Sequence, residues 1–167
     1  MSKAQFLAED IRSTTALVTT SMPRIGTFWA EQGGNYAGII AGENGAPDYH
    51  LIHATSDHEI FDVNFQQAIA AAQAPINSFN DWSLPDRREA LLLSINNHDS
   101  FDLDEGYWTS TQDAHDYAWT QGFNYGGLGI GHESFKYRAR AVRRIFITSN
   151  TCKSPLDYAK QFRRDYE

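Results

Sequence analysis

Hydrophobic and polar positions alternate with two different periods along this chain. Near the start, "AQFLAEDIR" has the spacing of two helical turns, and "TALVTT" has the β-branched content of a strand. Thr27 to Ala30 and Tyr36 to Ile40 then read as a pair of strands turned at Gly33-Gly34, where glycine tolerates positive φ. Gly42 to Asp48, "GENGAPD", is a second turn, and "YHLIHA" a third strand. The period changes in "NFQQAIAAAQA", where Phe65, Ala68, Ile69 and Ala72 fall on one helical face until Pro75 stops it. A second helix is predicted over "DRREALLLSI", entered through Leu84-Pro85, with Asp86 and Glu89 at the positive end of its dipole.

From Gly106 the alternation returns. "YWTST" and "YAWTQGF" are predicted strands joined by the polar turn "QDAHD". "NYGGLGIGHES" reads as a glycine-rich loop, "KYRARAVRRIFI" as one long closing strand, and "SPLDYAKQFRRDY" as a short terminal helix. Strands, then two helices, then strands again predict an α+β fold, with helices packed beside a twisted antiparallel sheet.

Five segments in order, "IGTFWAEQGGNYAGI", "DWSLPDRREALLL", "YWTST", "AWTQGF" and "RAVRR", carry a resemblance. Together they resemble the DUF1566 or Lcl C-terminal domain family, in its phage and prophage members. That family is similar to the C-type-lectin fold, shared with formylglycine-generating enzymes and the variable receptor-binding proteins of diversity-generating retroelements. The resemblance implies a domain over residues 25–148 with a loop-rich face for ligands, preceded by a leader (1–24) and followed by a tail (149–167). It also implies that Trp82 and Leu84 anchor the start of the second helix. A large ring just ahead of a helix start is independently a reasonable hydrophobic wedge.

The 167 residues suit one domain with a sizeable core. No apolar run approaches the ~20 residues of a membrane-spanning helix, and the start does not resemble a signal peptide. A cytoplasmic protein is expected. Net charge is −7, unevenly spread: residues 1–133 carry −13 and residues 136–167 carry +6. The basic end is expected to pair with the acidic remainder. Direct nucleic-acid binding is not expected, because so many carboxylates would oppose phosphates.

The chemistry of the enzymes in the related fold is not supported by these residues. Formylglycine generation, as the resemblance implies it, needs a cysteine pair, and Cys152 is the sole cysteine. An iron-dependent branch needs clustered histidines. The six here lack H-x-x-x-H or H-E-x-x-H spacing, and His50 and His53 point to opposite faces of a strand. These histidines are expected to be solvent-exposed or hydrogen-bonded. Asp99, Asp102, Asp104 and Glu105 make the densest acidic loop, without EF-hand spacing or the calcium residues of sugar-binding lectins. "NDW" only superficially resembles the Trp-Asn-Asp element of those lectins. Asp113, His115 and Asp116 share a turn, where such residues collect for solubility. No nucleophile elbow is present, and "GGLGIG" neither follows a plain apolar strand nor opens a helix as dinucleotide sites do.

Trp29, Trp108 and Trp119 are expected in the core, and Tyr125 on the surface as a recognition residue. Along an unbroken strand Arg138, Arg140 and Arg144 would share one face and Arg143 the other. The expected function is non-enzymatic binding without a cofactor, in a protein of phage or prophage type. The partner is a protein or a glycan, with a membrane excluded and a dimer left open. The expected ligand-binding residues are Gln112, Asp113, His115, Asp116, Asn124, Tyr125 and His132, together with Asp102, Asp104 and Glu105. The alternative is an intracellular inhibitor of a host defence complex, whose acidic body engages a basic nucleic-acid-binding surface.

Overall fold

A computed structural model describes residues 22–147. The helical and strand readings of the leader before Met22, and that of the terminal helix, lie outside the described residues. The fold is α+β, with two helices and nine strands in two sheets among the described residues. The first sheet has the order β1-β2-β3-β9, built from β1 (Phe28–Trp29), β2 (Gly34–Ile40), β3 (Tyr49–His53) and β9 (Val142–Phe146). The second has the order β4-β8-β5-β6-β7, from β4 (Ile60–Val63), β8 (Tyr137–Ala139), β5 (Gly106–Gln112), β6 (Tyr117–Gly122) and β7 (Leu128–His132). All pairings are antiparallel except β5 with β8, which meet in parallel at Tyr107 and Arg138.

Both helices start where their caps dictate. α1 (Phe65–Ala72) is opened by Asn64, which exchanges side-chain and backbone hydrogen bonds with Gln67. α2 (Arg87–Asn96) is opened by Asp86 and Glu89 in the same reciprocal arrangement, each bond 2.8 Å. Pro85 precedes the cap, and its carbonyl accepts a bond from the Ser110 amide. Phe65, Ala68 and Ala72 face a core with Trp82, Leu84 and Trp108; Leu93 faces a second core with Leu51, Tyr107 and Phe123. Trp82 is buried and its Nε1 donates to Ile76 O, so it anchors the core.

Two strand expectations need correction, and one strand was not anticipated. The long closing strand is broken: Arg140-Ala141 separates β8 in one sheet from β9 in the other. The arginines therefore do not share one face. The glycine-rich "loop" contains β7, whose Leu128, Ile130 and His132 alternate with Gly129 and Gly131. A Cβ at Gly131 would lie 2.7 Å from the Tyr137 ring, so glycine there lets Tyr137 and Trp108 pack beneath the strand. β4 had no sequence reading at all; Asp62, at φ 51°, bends it between its two pairings with β8. Trp119 is also only half-buried, with the Arg87 guanidinium 4.6 Å from its ring centre.

Gly34 illustrates how tightly the first sheet is closed. A Cβ there would lie 2.6 Å from His53 O and 3.0 Å from the Trp82 ring. Gly34→Ala is expected to lower stability by about 1–3 kcal/mol, as overpacking does. A urea midpoint equal to that of the parent would contradict this packing.

Candidate recognition surface at the β6–β7 tip

The ten residues expected to bind a ligand do not converge. Gln112, Asp113, His115, Asp116 and His132 lie at one end of the β5-β6-β7 ribbon; Asp102, Asp104, Glu105, Asn124 and Tyr125 lie at the other. β5 runs seven residues between the ends, roughly 20 Å at the usual strand rise. No small ligand touches both groups.

The first end is a hydrogen-bonded turn. Gln112 Nε2 donates to Glu133 at 2.7 Å, and the Ser134 amide donates to His132 Nδ1 at 3.2 Å. That bond requires an unprotonated Nδ1, so neutral His132 carries its proton on Nε2. Asp116 takes φ 66° to close the turn, and the Glu133 amide bonds its carbonyl. His115 and Asp116 are 3.3 Å apart but largely in water, where an ion pair is worth little. Nothing desolvates them into an acid-base pair.

The second end is braced from beneath. Buried Arg140 pairs with Glu59, which also accepts the Tyr107 hydroxyl. Burial, then that hydrogen bond, pushes the Tyr107 hydroxyl up to about 12. Tyr107 in turn accepts the Asp102 amide at 2.9 Å. Arg138 reaches Asp102 at 2.7 Å and Glu105 at 4.0 Å. Asp102 is thus half-buried and paired, while Asp104 and Asp99 face solvent. Among the described residues no group of three or more His, Cys, Asp or Glu is placed to hold a metal ion.

Tyr125 stands at the tip of the β6–β7 turn and is 93% exposed. The turn beneath it is closed by the Gly122 amide donating to Gly127 O at 2.8 Å. Buried Gln121 clamps the same two residues, its Nε2 donating to Gly122 O at 2.7 Å and Gly127 O at 3.3 Å. Open hollows flank the ring. One, of about 390 Å³, has Leu103, Asp104, Glu105 and Leu128 on its walls; the other, of about 490 Å³, has Leu91, Ile95, His98 and Phe123. Asn124 and Tyr125 border both. The arrangement exposes an aromatic ring between apolar walls, with carboxylates on one side.

Sequence reasoning located Asn124, Tyr125, Asp104 and Glu105 here but missed Gln121, Leu91 and Ile95. Leu91 and Ile95 had a visible signal. The run Ala90 to Leu93 with Ile95 is apolar on more than one face, so one face must stay uncovered by the core. Gln121 had none, since its role rests on a turn formed by other residues.

Other expectations are met in detail. The four arginines of residues 138–144 all pair with carboxylates, Arg143 with Asp81 and Arg144 with Glu89. His50 and His53 do lie on opposite faces, near Trp29 and Phe101 respectively. His53 is hydrogen-bonded to Ala54 O but fully buried. Among the described residues no helix is long and apolar enough to cross a membrane. Comparison with known proteins finds no family model that matches this chain and no curated protein that matches it significantly.

Proposed function

We propose that this chain is a non-enzymatic binding protein of phage or prophage type, on a C-type-lectin-like scaffold, acting in the cytoplasm. Its partner is a protein, recognised through the β6–β7 tip. The observation that carries this reading is Tyr125, a nearly fully exposed aromatic ring on a braced turn between two hollows. A rigid exposed tyrosine offers large contact area at low entropic cost, and such rings dominate binding energy when a partner covers them. The scaffold assignment rests on the order of the five motifs, with Trp82 and the Asp86–Glu89 cap supporting it.

A second reading has its own support. Asp99 and Asp104 are exposed and Glu105 half-exposed, close along the chain to the wall of the first hollow. A partner with basic residues around an apolar segment complements that side. An inhibitor covering a nucleic-acid-binding surface of a host defence complex would meet this chemistry.

The test is affinity capture from bacterial lysate at low and high salt, with the parent and Tyr125→Ala. Tyr125→Ala is expected to leave stability within about 0.5 kcal/mol, as surface changes do. It is expected to weaken the captured complex by about 2 kcal/mol or more. Loss of the same complex at high salt, or on changing Asp99 and Asp104 to Asn, would favour the inhibitor reading. A complex unaffected by Tyr125→Ala would refute recognition through the tip. Binding to glycans alone would refute a protein partner.

A further inference from the structure

Among the described residues the two sheets have four edges, and three of them are guarded. β1 is only two residues long. β9 carries Arg143 and Arg144, and Val142 exchanges backbone bonds with Ser83. β4 is bent by Asp62 at φ 51°, and Lys136 is salt-bridged to that residue. Short strands, charges and bends of this kind stop an edge from pairing with another chain. β7, "LGIGH", has none of them. It contains no proline, Lys, Arg, Asp or Glu, and its register with β6 is unshifted over all five residues.

The Gly122 amide donates to Gly127 O at one end of the β6–β7 ladder, and the Glu133 amide to Asp116 O at the other. Antiparallel bonds recur at every second residue, so Gly129 and Gly131 turn their amides and carbonyls to β6. Leu128, Ile130 and His132 turn theirs the other way, where no strand lies among the described residues. The His132 carbonyl accepts the Phe135 amide at 2.8 Å. The side chains of Leu128 and Ile130 are exposed, as are those of Tyr117 and Phe135 on either side of His132. An open backbone ladder therefore runs along an apolar stripe.

We propose that β7 pairs antiparallel with β7 of a second copy of this chain, about a two-fold axis at Ile130. The order of residues in the strand carries this. In that register Ile130 faces Ile130, Leu128 faces His132 and Gly129 faces Gly131, so every outward-turned residue meets another. The two Ile130 residues exchange a pair of bonds, and each His132 amide reaches the other copy's Leu128 carbonyl. The two isoleucine side chains cover each other across the axis. The ends match as well. Antiparallel pairing sets the turn carrying Phe135 and Lys136 of one copy beside the β6–β7 tip of the other, where Asp104 and Glu105 wall the hollow. Glu133, the carboxylate in that turn, is held to its own copy by Gln66 and Gln112. A two-fold contact is isologous and uses both β7 edges at once. The joined sheet then ends on both sides at the guarded β4, so growth stops at two copies.

Sedimentation equilibrium of the full chain reads the association, with Ile130→Lys as the variant. A concentration-dependent dimer is expected, its dissociation constant raised at least about tenfold by Ile130→Lys. A urea midpoint like the parent's shows that this variant folds. The register is read by oxidising Ile130→Cys and Leu128→Cys, each in a Cys152→Ser background. Facing Cα atoms in such a pair lie about 5.5 Å apart, within reach of a disulfide, so Ile130→Cys links two copies. Leu128 lies four residues from its counterpart, about 13 Å along the strand, and stays unlinked. A parent that remains monomeric up to about 1 mM overturns the proposal. Slow exchange of the Ile130 amide in that monomer would give the edge to a segment of the same chain. A dimer indifferent to Ile130→Lys overturns the proposal too, as does Leu128→Cys linking as readily as Ile130→Cys. The capture experiment changes Tyr125 and no residue of β7, so the two results stand apart.

Discussion

Glu89→Ala lowers the unfolding free energy by about 3–5 kcal/mol, the cost of stranding one member of a buried ion pair. Glu89 is 0% exposed and receives four hydrogen bonds from three directions. Arg144 grips both carboxylate oxygens at 2.6 and 2.5 Å, Tyr49 donates at 2.9 Å, and the Asp86 amide at 2.8 Å. One side chain therefore joins the start of α2 to β3 and β9. Its removal leaves Arg144 facing a cavity, takes away half of the capping box, and leaves the Tyr49 hydroxyl without its acceptor. Burial and the Glu89 carboxylate already hold that hydroxyl well above the usual tyrosine range. Urea unfolding followed by tryptophan fluorescence measures the effect. Glu43→Ala, which removes the exposed partner of Arg88, is the control and costs about 0–1 kcal/mol. A Glu89→Ala loss no larger than that control would mean the network contributes little.

His53 confers an acid-sensitive stability of roughly 3 kcal/mol, at about 1.4 kcal/mol per pKa unit. Its imidazole is 0% exposed, and burial lowers its pKa from 6.5 to about 4 in the folded protein, with nearby Arg140 acting in the same direction. Between those two values the unfolded chain binds a proton that the folded chain refuses. The stabilisation is complete above about pH 6.5, falls as pH drops, and is gone below about pH 4. Carboxylates lose their ion pairs on the way down as well, so the comparison is with His53→Leu, which keeps them. The stability difference between parent and His53→Leu is expected to fall by roughly 3 kcal/mol from pH 7 to pH 4. A pH-independent difference would show that His53 is protonated inside the fold. His53 Nε2 has no hydrogen-bond partner in the structure, which fits a neutral ring held by packing against Phe101.

His53 also marks the limit of what its local sequence discloses. "HLIH" places two histidines on opposite faces, because strand side chains alternate. It does not show that one of those faces is sealed by Phe101, some fifty residues away. The candidate site divides similarly. Tyr125 beside Asn and Gly was legible as an exposed turn residue. That Gln112 and Tyr125 sit at opposite ends of one ribbon was not, since it depends on the register Tyr107↔Gln121 and Tyr117↔His132.

The sequence by itself determined the elements with local causes. The helices start at Asn64 and Asp86 because their caps lie within three residues, and α1 ends before Pro75 because proline cannot continue it. The α+β class followed from the order of the two periods. Tertiary structure alone decided the rest. The closing strand divides at Arg140-Ala141, where Arg140 pairs with Glu59 just before β4 while Arg144 pairs with Glu89 on α2. β7 is a strand because Gly131 leaves room for Tyr137 and Trp108. These choices are set by partners distant along the chain, and a local pattern of apolar and polar residues carries no record of which distant partner will arrive.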